Sequence, residues 1–297
     1  MHAASVFSSR NLIVIGAASG AGAPDAATAE GPDVLRHYRV FHDTPLQHVE
    51  WDAILHVPRA EQDTPLHAVA ALSERLAAEV EAVLLAGNFP LVVGGDHSCA
   101  IGTWSGVHHV LADQGPLGLI WIDAHMDSHT FATTPSGQIH GMPLAVLLGH
   151  GEAALTSIDG PEAKLLPEHV CLIGVRSYEA GEAALLHRLG VRVFEMDEVR
   201  RRGLAEVFDE ALAIVRQGTA GFGVSVDLDA LDPAEEPGVG TPVPGGLSRA
   251  ELAAALSHLR GDPGFVAMEI VEYNPRRDRG HATADAAGAL AGAITPL

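Results

Sequence analysis

Cysteine is scarce. The chain has two, Cys99 and Cys171, in 297 residues, too few for a disulfide framework. Both read as buried thiols: Cys171 sits in an apolar run, and Cys99 follows a Gly-Gly-Asp-His-Ser turn. Basic residues are also few. Lysine and arginine total 18 against 38 acidic residues, a formal charge of −20, and Lys164 is the single lysine. That balance disfavours nucleic acid and anionic membrane surfaces as partners, and neither is expected. No apolar run reaches the roughly 18 residues of a membrane span. The first residues lack a basic segment followed by an apolar one, so no secretory signal is read and the expected location is the cytoplasm. Nucleotide-binding loops are missing too. The glycines after strand 11–16 precede no Gly-Lys-Ser/Thr and do not fall at G-x-G-x-x-G.

What remains is a hydrophobic chain, 47% apolar, in which strand and helix patterns alternate. Buried strands are expected at 11–16, 89–94, 117–123, 169–174, 191–194, 222–228 and 265–271. Leu66, Val69, Leu72, Leu76, Val80 and Val83 recur at helical spacing within 64–87. Further helices are expected to start at Gly31, after a capping Ser98, and over 141–148, 180–188, 204–216, 248–259 and 282–292. Such alternation implies a parallel sheet with helices on both faces. No linker or repeat divides the chain, so residues 1–297 are read as one domain. Ligands of such sheets bind outside the carboxyl ends of the strands. The turns after strands 89–94, 117–123, 169–174, 222–228 and 265–271 therefore share one rim.

The stretch Trp121-Ile-Asp-Ala-His-Met-Asp127 places Asp123, His125 and Asp127 at alternate positions. If it continues as a strand, all three project from one face. Ser225-Val-Asp-Leu-Asp229 repeats the plan with Asp227 and Asp229, while Asp232, before Pro233, reads as a turn residue. His97 can enter from the Gly94-Gly95 turn. Arg176, on the same rim, is expected to pair with a carboxylate, and Tyr178 to line a pocket wall or serve in packing. Four carboxylates and two imidazoles exceed the needs of one tetrahedral zinc. Oxygen-rich ligation with some nitrogen favours manganese, and the ligand number favours two ions. Zinc, nickel and cobalt remain compatible by ligand type. Two close ions imply hydrolysis by direct attack of water.

Gly94-Gly-Asp-His-Ser, Asp123-Ala-His-Met-Asp and Ser225-Val-Asp-Leu-Asp-Ala-Leu-Asp-Pro resemble, in order, the three signatures of the arginase/ureohydrolase family. The likeness runs from Gly16 to Pro275. It implies a three-layer αβα sandwich with a mostly parallel sheet of about eight strands. It also implies two Mn2+ ions on His97, Asp123, His125, Asp127, Asp227 and Asp229, and hydrolysis of a guanidino group to urea and an amine. Thr133-Thr-Pro-Ser-Gly-Gln-Ile-His-Gly is similar to the arginase branch, where this loop reads the amino-acid end of the substrate. The resemblance implies that Ser136 contacts the α-carboxylate, His140 shuttles protons, Glu272 faces the guanidinium, Thr241 supports the site, and Asp127 carries a proton to the departing amine. The chain departs from the arginase pattern at two places. His129 stands where arginases carry asparagine, and Glu179 stands where they carry an aspartate near the α-amino group. The reaction class expected is therefore arginine hydrolysis to ornithine and urea, with another guanidino acid such as 4-guanidinobutyrate, or formimino-glutamate, as alternatives. A non-catalytic binding member is a further alternative that the six ligands argue against. Family members are commonly trimers or hexamers, so a homo-oligomer is expected.

Overall fold

A computed structural model of the chain describes residues 10–43, 45–46, 49–57 and 61–295; His48 and both chain ends lie outside the described residues. In chain order the elements are β1 (Leu12–Ala18), α1 (Gly31–His37), β2 (Glu50–His56), α2 (Pro65–Leu85), β3 (Phe89–Gly94), α3 (Ala100–Leu111), β4 (Leu117–Ile122), α4 (Pro143–Leu147) and α5 (Ala153–Thr156). They continue with β5 (Val170–Val175), α6 (Ala180–Leu189), β6 (Arg192–Glu195), α7 (Met196–Arg202), α8 (Leu204–Arg216), β7 (Gly221–Asp227), α9 (Arg249–Ser257), β8 (Phe265–Val271) and α10 (Ala282–Ile294).

The strands form one eight-stranded sheet in the order β2-β1-β3-β8-β7-β4-β5-β6, and every neighbouring pair is parallel. The central strands are apolar throughout because both faces are covered. Successive residues alternate between two cores. Val14, Leu91, Ile120 and Val224 face one core, with Leu252 of α9 and Leu290 of α10. Ile15, Val92, Leu119 and Trp121 face the other, with Leu76 of α2 and Trp104 of α3. This is the expected three-layer αβα arrangement.

The helices follow their apolar stripes. On α8, Leu204, Val207, Phe208, Ala211, Leu212 and Val215 are the buried residues, a helical repeat that lays one face on the sheet. Thr64 caps α2 by accepting a bond from the His67 amide at 3.2 Å.

Three expectations are corrected. Ser98 does not cap the turn leading into α3; the Asp96 carboxylate does, accepting from the Ser98 amide at 2.9 Å. A charged carboxylate is the stronger acceptor, and its backbone is extended as a cap requires. The strand expected at 117–123 ends at Ile122, so the residues after it lie on a loop. The edge strand β2 was not foreseen. Its sequence, Glu-Trp-Asp-Ala-Ile-Leu-His, carries polar residues through much of its length and is mostly part-exposed.

Being parallel, all eight strands deliver their carboxyl ends to one rim. β3, β8, β7 and β4 are consecutive neighbours in the sheet. Their outgoing loops carry His97, Glu272, Asp229 and Asp123, so residues nearly 180 positions apart in sequence converge.

Candidate metal centre

His97 lies in a short turn after β3, completely buried. Gly95 makes its approach feasible: a Cβ there would sit 1.9 Å from the Ser19 carbonyl oxygen. The His97 Nδ1 atom lies 3.3 Å from Asp123 Oδ2, 3.0 Å from Asp127 Oδ2 and 3.1 Å from Asp227 Oδ2. A second group forms around His125, whose Nδ1 is 3.1 Å from Asp229 Oδ2 and 3.5 Å from Asp123 Oδ1. Asp123 belongs to both groups, one oxygen to each. The ligand-type atoms within each group lie within 4.8 Å of one another.

The alternate spacing of Asp123, His125 and Asp127 acts differently from a strand face. The chain turns after Ile122, and Asp127 adopts the left-handed region with φ 47°. That geometry sends Asp127 to the His97 group and His125 to the other. The loop is held by Leu144, whose amide donates to the Asp127 carbonyl at 2.9 Å. Asp227 ends β7, and its Oδ1 accepts from the Asp229 amide at 2.8 Å, which folds the second aspartate back beside the first.

The electrostatics call for a cation. Burial raises the Asp127 carboxyl to about 6, helped by the neighbouring charge of Asp123. Burial, and then repulsion from Asp229 and Asp123, pushes Asp227 well above the carboxylate range. Burial pulls the His97 imidazole down, but Asp123, Asp127 and Asp227 attract its cation strongly enough to raise it well above its ordinary value. His125 is raised likewise, with burial opposed by Asp229 and Asp123. Carboxylates packed this closely cannot all ionise unless a positive charge lies between them. The His97 Nδ1 is buried without a hydrogen-bond partner, an arrangement that suits a metal ligand better than a protonated ring. With four carboxylates and two imidazoles present, the residues fit two divalent ions.

The remaining candidates lie as follows. Glu272, after β8, is fully buried with φ 67°. Its Oε1 accepts from the His97 amide at 3.0 Å and lies 3.0 Å from His140 Nδ1. Its Oε2 is buried and has no partner. Burial lowers the His140 imidazole, but the bond to Glu272 and the nearby acidic charge raise it to about 9. Thr241 donates to Asp229 Oδ2 at 2.9 Å, so it braces a candidate ligand. His129 is buried, with Nε2 2.9 Å from Glu179 Oε2 and Nδ1 3.1 Å from Thr133 Oγ1. Ser136 is exposed and touches its own loop, with Oγ 3.3 Å from the Gln138 amide; it makes no bond to the other candidates among the described residues.

Two rim expectations fail. Arg176 does not pair with a carboxylate. It donates to the carbonyls of Gly174, Asp229, Ala230, Leu231, Val243 and Pro244. Loops with free carbonyls can satisfy its five N–H groups, and it thereby ties the Asp229 turn to residues 243–244. Tyr178 is exposed and donates to Glu195 at 3.1 Å instead of lining a pocket. Asp232 is the expected turn residue, accepting from the Ala234 and Gly245 amides.

Some residues escaped the sequence. Glu182, buried at the first turn of α6, forms a capping box with Glu179; the Glu-x-x-Glu spacing was its signal. Burial, with help from Asp127, raises it to about 8. Ser225 and Glu269, buried in β7 and β8, carry a weaker signal as lone polar residues inside apolar runs.

The comparisons agree with this geometry. The family profile described as Arginase family matches residues 10–295. An arginase of Bacillus caldovelox is 43% identical over 274 residues, covering 89% of this chain and 91% of that protein. An arginase of Brevibacillus brevis is 40% identical over 293 residues, covering 96% and 97%. The crystal structure of arginase from Bacillus subtilis superposes with a TM-score of 0.89 at 36% identity, covering 97% of this chain and 99% of that one. A chain that matches the family along almost its whole length, and brings the family's three signatures to one rim, belongs to the arginase family.

Proposed function

We propose that this chain is a hydrolase of linear amidines that converts L-arginine to L-ornithine and urea with two Mn2+ ions. The observation that carries this reading is the pair of histidine–carboxylate groups joined through Asp123. Its support is the 40–43% identity to proteins named arginase. His97, Asp123, Asp127 and Asp227 would hold one ion; Asp123, His125 and Asp229 would hold the other. When bound, the two ions supply Lewis acidity that makes water a nucleophile at neutral pH.

The chain's own groups then divide the work. Glu272 Oε2, buried and unpartnered, accepts a charge-assisted bond from the guanidinium and holds its carbon in line. The oxygen of water joins that carbon, the bond to the δ-nitrogen breaks, and the leaving amine needs one proton. Asp127, beside the attacking water, takes the proton that the water gives up and passes it to the amine. His140, part-exposed and bonded to Glu272, exchanges protons with solvent. Ser136, His129 and Glu179 read the amino-acid end, and Thr241 holds Asp229 in place.

One observation favours a second reading, hydrolysis of another guanidino acid. His129 and Glu179 close on each other, so at the amino-acid end of the substrate His129 would compete with the α-ammonium for the Glu179 carboxylate. We further propose a cytoplasmic homo-oligomer, a trimer or hexamer as in the family. Sedimentation of the purified chain tests this, and a monomer would refute it. No helix among the described residues is long and apolar enough to cross a membrane. The functional test is hydrolysis with Mn2+, followed as urea from L-arginine, agmatine and 4-guanidinobutyrate and as formamide from formimino-glutamate. Arginine should be preferred; no urea from any guanidine would overturn the assignment, and preference for 4-guanidinobutyrate would select the second reading.

A further inference from the structure

Glu269 is a charged residue in a strand with no evident need of one. β8 runs Phe-Val-Ala-Met-Glu-Ile-Val, every residue buried, and Glu269 is fully enclosed. Burying a carboxylate without a cation is strongly unfavourable, and Glu269 takes no part in the chemistry above. Its Oε1 has two partners: Trp104 Nε1 at 2.5 Å and Ser225 Oγ at 2.7 Å. Ser225 Oγ in turn lies 2.9 Å from His97 Nε2.

The donors fix the direction of this chain of bonds. An indole N–H can only donate, so Glu269 Oε1 accepts from Trp104. If the carboxylate is ionised, Ser225 must donate to it. A hydrogen on Oε1 would turn the chain of bonds round, so its direction is that of the ionised carboxylate. A serine hydroxyl has one hydrogen. Having given it to Glu269, Ser225 can meet His97 only as an acceptor, so His97 Nε2 carries the hydrogen. That leaves a lone pair on Nδ1, which faces Asp123, Asp127 and Asp227. The ring plane is set independently by stacking on Trp121, with centroids 4.2 Å apart and planes at 13°.

We propose that Glu269, acting through Ser225, is a positioning residue that holds His97 in the Nε2–H tautomer and so presents Nδ1 to a divalent cation. This rests on the two-ion reading of the site. The hydrogen bond from a metal-bound histidine to an outer partner commonly governs affinity by 10–100-fold. Glu269→Leu keeps the volume but removes the acceptor, whereas Glu269→Gln retains an Oε1 that can accept from both Trp104 and Ser225.

The test titrates the metal-stripped full chain with Mn2+ alone and resolves the two binding events. In Glu269→Leu and in Ser225→Ala, one site should weaken by roughly 10–100-fold and the other stay unchanged. Glu269→Gln should bind nearly as the parent does, and the Leu/Ala double variant should lose no more than either single one. The nitrogen NMR spectrum of His97 in the metal-free parent, assigned with His97→Asn, should show a hydrogen on Nε2 whether the ring is cationic or neutral, with Nδ1 the nitrogen that gives its hydrogen up. Unchanged affinity in a folded Glu269→Leu, equal losses in Leu and Gln, or an Nδ1–H tautomer would each overturn the proposal. Should the parent itself bind no Mn2+, the two-ion reading fails, and the nitrogen spectrum and Glu269→Leu's effect on it decide the tautomer claim separately.

Discussion

Asp123 is shared between two histidine-centred groups, so replacing it should have twice the consequence of replacing an unshared ligand. Binding to the folded state alone stabilises by about 2.7 kcal/mol per site when free ion exceeds the dissociation constant about 100-fold. Two sites then give roughly 5 kcal/mol. In a chain of this size one kcal/mol moves the unfolding midpoint by roughly 2 °C. Manganese should therefore raise the midpoint of the metal-stripped protein by about 10 °C. Asp127→Asn removes a ligand near His97 only, and Asp229→Asn one near His125 only, so each should keep about half of that rise. Asp123→Asn should keep almost none. The apo forms provide the sign control. Because Asp127 is raised to about 6 by burial and by Asp123, Asp127→Asn relieves an unfavourable buried charge, so the apo midpoint at pH 8 should hold or climb. The assay is differential scanning calorimetry with and without Mn2+, each variant matched by metal counting after dialysis. If Asp123→Asn retains half of the rise and one ion, Asp123 is not shared and the two-group geometry is wrong.

Other expectations follow from single contacts. In His129→Asn the bond to Glu179 is lost; Glu179 is largely exposed, so screening limits the effect to about 0.5–1 kcal/mol. That is roughly a 2–5-fold change in KM for L-arginine with kcat nearly constant, and an unchanged KM would remove His129 from the pocket. His140 has a folded value of about 9 against an ordinary 6.5. Its protonated form therefore stabilises the metal-free fold fully below about pH 6.5, and that contribution, roughly 3 kcal/mol, is lost as pH rises through 9. Chemical denaturation across pH 6–10 should show this slope in the parent and a flatter one in His140→Asn; identical slopes would contradict it. In Gly223→Ala the new Cβ would sit 2.0 Å from Trp104 Cζ3. Overpacking of this kind costs about 1–3 kcal/mol, so the melting midpoint should fall by roughly 2–6 °C, whereas an unaltered midpoint would mean the Trp104 ring has room to move.

The sequence was most legible where chemistry and periodicity coincide. Apolar runs ending in Gly-Gly, Asp-x-His-x-Asp or Asp-x-Asp mark β3, β4 and β7 because a buried parallel strand is mostly apolar until its carboxyl end and turns polar there. The candidate ligand set stands out for the same reason: few structural roles put four carboxylates and two imidazoles at such strand ends. What spacing could not give is partition. Asp123, His125 and Asp127 look like one face, yet the φ of 47° at Asp127 sends them to two centres, and nothing in residue types encodes that sign of φ. Arg176 shows the same limit. Its partners are backbone carbonyls of β5 and of two loop segments, and carbonyls have no signature in a sequence. β2 was missed since an edge strand buries less, and its pattern mixes polar with apolar residues.

The backbone at the centre carries strain that local sequence would not choose. Asp127 and Glu272 are both non-glycine residues in the left-handed region, a conformation that costs roughly 1–2 kcal/mol each. Both directly follow strands or their first loop, and both are pinned by bonds to distant segments. The Leu144 amide holds the Asp127 carbonyl, and the Glu272 amide donates to the Gly95 carbonyl at 2.7 Å. Glycine would relieve the strain at either position but would delete the carboxylate. An extended backbone would keep the carboxylate and aim it along the strand direction, away from the rim's centre. The left-handed turn is the solution that folds a side chain back over the strand end. Sites that must gather several anions on adjacent strand ends therefore draw on the surrounding bonds to hold that turn. In this chain those bonds run to the Gly94-Gly95 turn and to α4, so the segments beside the ligands, which supply no metal-binding atom, are what keep two of the acidic side chains aimed inward.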